Sequence, residues 1–351
     1  MRVLTVIGNR PQFVKAAAVS HRLRAVADEV LVHTGQHYDD ALSQVFFEEL
    51  RLPRPEHRLE AGGGTNSAQT AAMLAALEPL LAAESPDAVL VYGDTNSTLA
   101  GALAGAQARI PVAHVEAGMR SYDRAMPEEL NRVLSDHAAS LLLCSSPAAA
   151  DTLRAERVLG DVVVVGDVMV DVFELLAPRA DGAVLDRLGV APGGYVLATA
   201  HRAGNVDDPA RLRALVELLT GVDGPVVLPL HPRTRARLDA ADLLGRLDGV
   251  VLAPPLGYLE FTALLLGAQA VLTDSGGVQK EAYLAGVPCV TLRETTEWRE
   301  TVEAGWNTLV GLDLAAARAA LEREPPAERP PLYGDGRAGE RVVEALLRMA
   351  R

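Results

Sequence analysis

Two glycines and a serine stand between an apolar run and a helix-patterned segment in the stretch LTDSGGVQKE, residues 272–281. The run from Ala270 to Thr273 predicts a buried strand, and Val278 begins a predicted helix. The first turn of a helix has unpaired N–H groups and a positive dipole end, so a phosphate fits there. Glu281 lies about one turn further on, where a carboxylate could accept both hydroxyls of a ribose. The spacing predicts a nucleotide site, although Ser-Gly-Gly also forms plain turns, with the diphosphate at Ser275, Gly276 and Gly277.

Four charged residues follow strand-like runs elsewhere in the chain. Arg10 and Lys15 could neutralise a diphosphate, the arginine through its bidentate fork and the lysine as a point charge, or could be surface charge at a helix start. Asp94 follows a very apolar run, where an unpaired carboxylate is costly. Its alternative role is the N-cap of a helix that begins near Ser97. Glu116 follows another apolar run, and helix capping does not readily explain a carboxylate at that position.

Glu128 and His201 each have a structural explanation beside the chemical one. Glu128 follows Pro127 in the first turn of a predicted helix, where it favours the dipole and could pair with Arg132 at i+4. His201 ends a strand-like run and could donate to phosphate and titrate near neutrality, or be a satisfied histidine at a strand end. Carboxylates, a histidine and cations around a nucleotide suit proton abstraction or glycosyl chemistry.

Composition argues against several classes of protein. The chain has 351 residues and a net charge of −13, which makes nucleic acid or an anionic membrane a poor partner. It opens in a strand-like run without a signal-peptide pattern, and no apolar run approaches the ~20 residues of a membrane helix. Cys144 and Cys289 lie in apolar runs, which predicts buried free thiols of a cytoplasmic protein. The eight histidines show no ligand spacing, so no tight metal site is expected.

Strand-like runs alternate with helical patterns from end to end, which predicts an α/β protein with parallel sheets covered by helices on both faces. The number of strands suits two doubly wound domains, joined by a linker at 177–194 that is rich in proline and glycine. In open parallel sheets, ligands bind beyond the carboxyl ends of the strands, where the charged residues above are found. The predicted strands are Val3–Ile7, Val30–His33, Ala88–Tyr92, Val112–Val115, Leu141–Cys144, Val162–Val165, Val196–Thr199, Val226–Leu230, Val250–Leu252, Ala270–Thr273 and Cys289–Leu292.

Several motifs, in order along nearly the whole chain, resemble those of the non-hydrolysing UDP-N-acetylglucosamine 2-epimerase family. The resemblance is carried by GNRPQ at 8–12, TGQH at 34–37, GDTNST at 93–98, HVEAGMR at 114–120, PEExNR at 127–132, HR at 201–202, TDSGGxQ at 273–279 and TE at 296–297. It implies the GT-B architecture, in which two Rossmann-like domains flank a ligand cleft. It also implies cytoplasmic homodimers that need no nicotinamide cofactor and no obligatory metal.

The resemblance assigns domains and roles to this sequence. Residues 1–176 would form a domain with the sugar-binding and acid/base groups, residues 195–335 a UDP-binding domain, and residues 336–351 a helix that returns to the first domain. The reaction would be anti elimination of UDP to a 2-acetamidoglucal, followed by re-addition with hydrogen on the other face of C2. The catalytic residues would be Asp94, Glu116, Glu128 and His201. The substrate-binding residues would be Arg10, Lys15, Gln36, His201, Ser275, Gly276, Gly277, Gln279 and Glu281.

Because the sequence departs from the family pattern at several positions, the substituents on the substrate's sugar stay open. Gln12, Lys280, Tyr283 and the pair Glu297-Trp298 look more like the branch that contains 2-epimerases of diacetamido-uronic acid nucleotides. Ala203-Gly204 replaces larger polar residues of the main branch, so we expect no activation by UDP-N-acetylglucosamine. Three alternatives remain at this point: a GT-B glycosyltransferase, a hydrolysing epimerase that releases N-acetylmannosamine, and a non-catalytic UDP-sugar sensor.

Overall fold

The computed structural model describes residues 1–36 and 49–349, which divide into two compact units. The first unit runs from Met1 to Leu175 and takes up the chain again at Tyr333, and the second comprises Leu176–Leu332. Each unit has its own parallel sheet with helices between successive strands. This confirms the predicted α/β fold with two doubly wound sheets.

The sheet of the first unit has the strand order β3-β2-β1-β4-β5-β6-β7, in which all neighbouring strands are parallel. All five residues of β4 are buried, because helices cover both faces of a parallel sheet and its strands are correspondingly apolar. The strands are β1 (Arg2–Ile7), β2 (Asp28–His33), β3 (His57–Arg58), β4 (Ala88–Tyr92), β5 (Val112–Ala117), β6 (Leu141–Cys144) and β7 (Asp161–Val164).

The described helices of the first unit include one that is distant in sequence, the C-terminal helix. It begins against α1, since Gly339 lies so close to the carbonyl oxygen of Ala18 that a side chain would not fit. The helices are α1 (Arg10–Arg24), α2 (Asn66–Glu84), α3 (Asn96–Gln107), α4 (Pro127–Ala138), α5 (Pro147–Ala155), α6 (Val168–Leu176) and the C-terminal α15 (Ala338–Met349).

The second unit has a six-stranded parallel sheet of order β10-β9-β8-β11-β12-β13. Its strands are β8 (Val196–Thr199), β9 (Val226–Pro229), β10 (Val250–Ala253), β11 (Ala270–Thr273), β12 (Cys289–Thr291) and β13 (Asn307–Leu309). Its α-helices are α7 (Ala183–Leu188), α8 (Ala203–Val206), α9 (Pro209–Gly221), α10 (Pro232–Ala240), α11 (Tyr258–Gly267), α12 (Gly276–Ala285), α13 (Arg299–Glu303) and α14 (Leu314–Leu321), and 3-10 turns form at Ala177–Arg179 and Leu244–Arg246.

All eleven predicted strands are present, but sequence reasoning missed β3 and β13. Both lie at an edge of their sheet and have only two and three residues, so they carry no apolar run that a pattern could detect. The segment 177–194 contains a short helix, α7, in which Val184 and Leu185 are buried, and it belongs to the second unit.

Two glycines in α3, Gly101 and Gly105, allow this helix to lie close to the first sheet. A Cβ on Gly101 would lie 2.8 Å from Cγ1 of Val91, and one on Gly105 would lie 2.7 Å from Cγ2 of Val112. The close approach fixes where α3 begins, at the carboxyl end of β4, and thereby positions the loop that carries Asp94.

Candidate active site

Helix α1 begins at the carboxyl end of β1 and carries both predicted cations. Asn9 caps it by accepting a hydrogen bond from the N–H of Gln12 at 3.2 Å. The Gln12 amide accepts from the N–H of Gly8 at 2.7 Å and donates to the carbonyl of Tyr92 at 2.9 Å, which ties the end of β1 to the end of β4. Arg10 is the first residue of the helix and is half-buried at this sheet edge.

Glu116 has an unusual backbone at the carboxyl end of β5. The register between β5 and β6 shifts at this residue, and its φ is +71°. Such a bulge with left-handed backbone costs energy in a residue other than glycine, and strain of this kind clusters at functional sites. The Lys15 ammonium contacts the Glu116 carboxylate, and both side chains are mostly buried. A Cβ on Gly93 would lie 3.0 Å from Lys15 Nζ, so the pair abuts the turn after β4.

Asp94, at the carboxyl end of β4, is also paired with a cation. Its Oδ2 atom accepts from Nε of Arg132 at 3.0 Å and from Nη2 at 2.6 Å. The alternative role of Asp94 as a helix N-cap is wrong, because Thr95 caps α3 with a reciprocal hydrogen bond involving Thr98. The structure therefore places Asp94 and Glu116 at the ends of two neighbouring strands, each beside a positive charge.

Helix α4 has its polar residues on the inside and its apolar ones on the outside. Glu129, Arg132 and Asp136 are buried, whereas Leu130 and Leu134 are 57% and 40% exposed. Glu128 is exposed in the first turn of α4, as the sequence predicts, and Arg132 pairs with Glu129 at 2.8 Å.

Glu129 closes the loop before α4. Its carboxylate accepts from Ser121 N and Oγ at 2.8 Å and from Tyr122 N at 2.9 Å. Burial alone would raise the pKa of Glu129, but these hydrogen bonds and the one from Arg132 outweigh it and hold the pKa below its usual value. Glu129 therefore stays ionised as a structural clamp, which leaves its neighbour Glu128 exposed.

Gln36 follows β2, and its side chain contacts the first turn of α3. Its Oε1 atom accepts from the N–H of Ser97 at 3.1 Å and from Ser97 Oγ at 2.6 Å. Ser97 Oγ also lies 2.8 Å from Thr34 Oγ1. Gln36 thus joins the end of β2 to the helix start that follows β4. It lies next to Gly8, which directly follows β1 and has no room for a side chain. His37 of the same motif lies outside the described residues.

In the second unit, Ser275 is the N-cap of α12, and its Oγ faces the N–H of Val278 at 3.5 Å. Gly276 is buried, and a Cβ there would overlap a carboxylate oxygen of Glu297. Gly277 is exposed, and a Cβ there would meet open space. The indole N–H of Trp298 donates to the carbonyl of Gly276 at 2.8 Å. The predicted anion site is therefore an exposed helix start. Its first residue, Gly276, is held on the buried side by Glu297 and Trp298.

Asp274 holds the backbone of two basic residues, His201 and Arg202, beside that helix start. Its fully buried carboxylate accepts from the backbone N–H groups of His201 at 3.1 Å and Arg202 at 3.0 Å, and from Asn205 Nδ2 at 3.2 Å. Since β8 and β11 are paired, the residues that follow them emerge at the same sheet edge. The pKa of His201 is lowered by desolvation and by nearby arginines, against the attraction of Asp274.

Glu281 is partly exposed on α12, and its pKa is raised to about 7. Desolvation is the main cause, and a hydrogen bond from Tyr258 and the charge of Lys280 act against it. Lys280 is itself buried, with its ammonium 4.1 Å from the ring centre of Trp298. A carboxylate that is partly ionised near neutral pH and partly exposed is suited to accept hydrogen bonds from a ligand.

Gln279, a predicted ligand contact, lies inside the second unit. Its side chain is fully buried, and Oε1 accepts from Thr296 Oγ1 at 2.6 Å and from Asn307 Nδ2 at 3.1 Å. Gln279 therefore braces α12 against β13 from inside the unit. Sequence reasoning could not separate it from its neighbour Glu281, since the face of a helix that is buried depends on the sheet beneath it.

Sequence reasoning assigned no role to Asp136, Arg120 or Asp274, which organise the two sheet edges. Their signal was present, because each is a charged residue in an apolar or helical pattern at a position that faces the core. Within residues 1–36 and 49–349, no group of three or more potential ligands is arranged to hold a metal ion. None of the helices in these ranges has the length and apolar character that a membrane crossing requires.

The family model for UDP-N-acetylglucosamine 2-epimerase matches residues 21–347. This chain belongs to the UDP-N-acetylglucosamine 2-epimerase family. It is similar to a UDP-N-acetylglucosamine 2-epimerase homolog of Methanococcus maripaludis, with 44% identity over 99% of both chains. It is also similar to the UDP-2,3-diacetamido-2,3-dideoxy-D-glucuronate 2-epimerase of Pseudomonas aeruginosa, with 46% identity over 99% of this chain and 100% of that one.

Solved structures of the family have the same fold. The UDP-GlcNAc 2-epimerase of Methanocaldococcus jannaschii, in complex with UDP-GlcNAc and UDP, matches with a TM-score of 0.92 and 40% identity, over 99% of this chain and 100% of that chain. The enzyme of Neisseria meningitidis, bound to UDP-GlcNAc, matches with a TM-score of 0.88 and 28% identity. The predicted GT-B fold class and the assignment as an epimerase are thereby confirmed.

Proposed function

We propose that this epimerase interconverts a UDP-2-acetamido sugar and its C2 epimer by anti elimination of UDP and re-addition through a 2-acetamidoglucal. The observation that carries the proposal is the pair of carboxylates Asp94 and Glu116 at neighbouring strand ends, each balanced by its own cation. A C2 proton that no carbonyl acidifies can be removed only as the C1–O bond to UDP breaks. Return of the proton to the opposite face requires an acid there as well, which one carboxylate alone does not provide.

We propose that the second unit anchors the nucleotide. The exposed start of α12 at Ser275 and Gly277 would take the diphosphate, with His201 nearby to stabilise it as it departs, and Glu281 would accept the ribose hydroxyls. Arg10 of the first unit would add positive charge. This division leaves proton transfer to the first unit, with Glu128 as a third candidate because it is exposed in the first turn of α4.

Lys15 has a different role in this proposal from the one expected from the sequence. Its ammonium contacts Glu116, so it neutralises a buried carboxylate and fixes its orientation. Lys15 thus holds the Glu116 carboxylate in one direction. This suits a reaction in which each base must act on only one face of C2.

Two substrates follow from the relatives, plain UDP-N-acetylglucosamine and a UDP-diacetamido-uronic acid. The buried Lys280 that faces the Trp298 ring favours the second, because the sequence pattern of that branch has these residues. The ratio of kcat/KM for the two substrates decides between them. Turnover of plain UDP-N-acetylglucosamine at least as efficient as that of the uronic acid would reject the uronic-acid branch.

Proton NMR in D₂O with the preferred UDP-sugar tests the reaction itself. We expect the C2 hydrogen to be replaced by deuterium while UDP stays attached to the sugar in both epimers. Release of free N-acetylmannosamine would indicate the hydrolysing reaction. Loss of UDP to an added acceptor without C2 exchange would indicate a glycosyltransferase.

We also propose that the enzyme works as a homodimer in the cytoplasm. Tyr122, Leu130 and Leu134 form an exposed apolar patch at α4, with Tyr122 64% exposed. The double substitution Leu130→Asp and Leu134→Asp should give a monomer in light scattering. Leu159→Asp is the matched control, because Leu159 is fully exposed as well and lies outside α4. A dimer that survives the double substitution would place the interface elsewhere.

A further inference from the structure

A network of four ionisable side chains, three of them buried, runs behind Glu116. His114 Nδ1 lies 2.7 Å from Asp136 Oδ1, and Arg120 Nη1 donates to Asp136 Oδ2 at 2.7 Å. Arg120 also makes a two-pronged pair with Glu156, at 2.9 and 2.7 Å. The side chains of His114 and Asp136 are entirely buried, and that of Arg120 is only 2% exposed. Nothing in the proposed reaction uses this network directly.

Each ring nitrogen of His114 has its own partner. Its Nε2 atom lies 2.7 Å from the carbonyl oxygen of Gly93, which can only accept a hydrogen bond, so Nε2 donates there. Its Nδ1 atom lies at the same distance from a carboxylate oxygen of Asp136. Asp136 in turn accepts from Arg120 and from the N–H of Gly118. His114 therefore connects the turn after β4 to the carboxylate that holds Gly118.

These four side chains hold both ends of residues 114–118, the segment that contains Glu116. On one side, His114 fixes the carbonyl of Gly93, the residue whose missing side chain makes room for Lys15 and Glu116. On the other side, Asp136 accepts from the N–H of Gly118 at 3.1 Å, which closes the bulge. Asp136 and Arg120 are buried opposite charges in direct contact, so their pairing offsets the cost of burying them.

We propose that His114, which connects Asp136 to the carbonyl of Gly93, is a positioning residue that aligns Glu116 and Asp94 for proton transfer at C2. The inference rests on the proposed function of those two carboxylates. Misplacement of a reacting group by about 1 Å can cost ~10²-fold in rate, so a rigid connection between the two strand ends is required.

Two substitutions separate the two ends of the histidine. Asparagine places its amide nitrogen where Nδ1 lies, so His114→Asn keeps the bond to Asp136 and loses the one to Gly93. Glutamine places its amide nitrogen where Nε2 lies, so His114→Gln keeps the bond to Gly93. We expect His114→Asn to lower kcat by ~10²-fold and His114→Gln to lower it by about tenfold or less, with KM and UDP affinity nearly unchanged. The same two substitutions at His21, which is exposed on α1, are the controls.

The hydrogen bond to Gly93 is tested without any turnover, by ¹H–¹⁵N NMR of histidine-labelled protein. The ring signals that disappear in the His114→Gln variant belong to His114. We expect a proton on Nε2, the nitrogen that faces the Gly93 carbonyl, and a bare Nε2 would overturn the proposal. Equal losses of kcat in the Asn and Gln variants, or no loss in either, would also overturn it. Near-normal turnover of Glu116→Gln would refute the catalytic assignment instead, while the NMR result would still decide whether His114 donates to Gly93.

Discussion

The ionisation of Glu281 on α12 makes both nucleotide binding and the stability of the second unit depend on pH. Its pKa is raised to about 7 from an ordinary value of 4.5, chiefly by desolvation. At ~1.4 kcal/mol for each pH unit, this difference corresponds to about 3 kcal/mol that the folded protein spends to ionise Glu281. The proposed function requires that ionised form, since only a carboxylate accepts from both ribose hydroxyls.

The effect on stability has a definite sign. Because the pKa is higher in the folded state, unfolding releases a proton between pH 4.5 and 7, and the free energy of unfolding falls as the pH rises through this window. Above about pH 7 the full cost is present, and below 4.5 it is absent. Glu281→Gln should therefore raise the free energy of unfolding of the second unit by about 1–3 kcal/mol at pH 8, and by little at pH 4.5.

Tryptophan fluorescence reports this change selectively, because both tryptophans, Trp298 and Trp306, belong to the second unit. Urea titrations at the two pH values give the free energies, and Glu217→Gln is the control because Glu217 is exposed on α9. A Glu281→Gln variant that is less stable than the wild type at pH 8 would refute the argument, since it would show that the carboxylate contributes more to the fold than its desolvation costs.

Binding should change in the opposite direction. If only ionised Glu281 binds ribose, the Kd of a UDP-sugar should rise about tenfold from pH 8 to pH 6, and calorimetry measures it directly. His201 cannot cause such a loss, because a histidine that gains a proton at lower pH would attract the diphosphate more strongly. In Glu281→Gln the affinity should be weak and nearly independent of pH. Wild-type affinity in that variant would place the ribose elsewhere.

Three further predictions concern catalysis, the nucleotide loop and regulation. Glu116→Gln and Asp94→Asn should each lower turnover by ~10²–10⁴-fold in a coupled assay and leave UDP affinity unchanged, and near-normal turnover would remove that residue from the catalytic set. In Gly276→Ala the added Cβ meets a buried carboxylate, so calorimetry should detect no UDP binding. Gly277→Ala has open space at that position and should fold normally. The same UDP affinity in both variants would contradict the description of the loop. The reverse reaction from UDP-N-acetylmannosamine alone should show hyperbolic kinetics, and a stall until UDP-N-acetylglucosamine is added would reveal an effector site that survives the small Gly204.

The local sequence was enough to predict the strands that line the two sheet edges. Strands β4 and β11 are apolar runs, as strands covered on both faces must be, and both have the bounds that the sequence predicts. The same local information misled where two neighbours compete for one role. Thr95 caps α3 instead of Asp94, since its hydroxyl and that of Thr98 satisfy the helix start reciprocally.

By itself, the sequence determined the α/β class, the succession of strand and helix, and which strand ends carry charged residues, because each of these depends on periodicity and on residue type within a few positions. Tertiary structure alone decided the partners of those charges. Arg132 turns to Asp94 and Glu129, Lys15 to Glu116, and Asp136 to His114, across separations of up to 101 residues. Such pairs form because desolvated charges must meet opposite charges where the fold brings them together, and a pattern in one strand or helix contains no information about its neighbour's side chains.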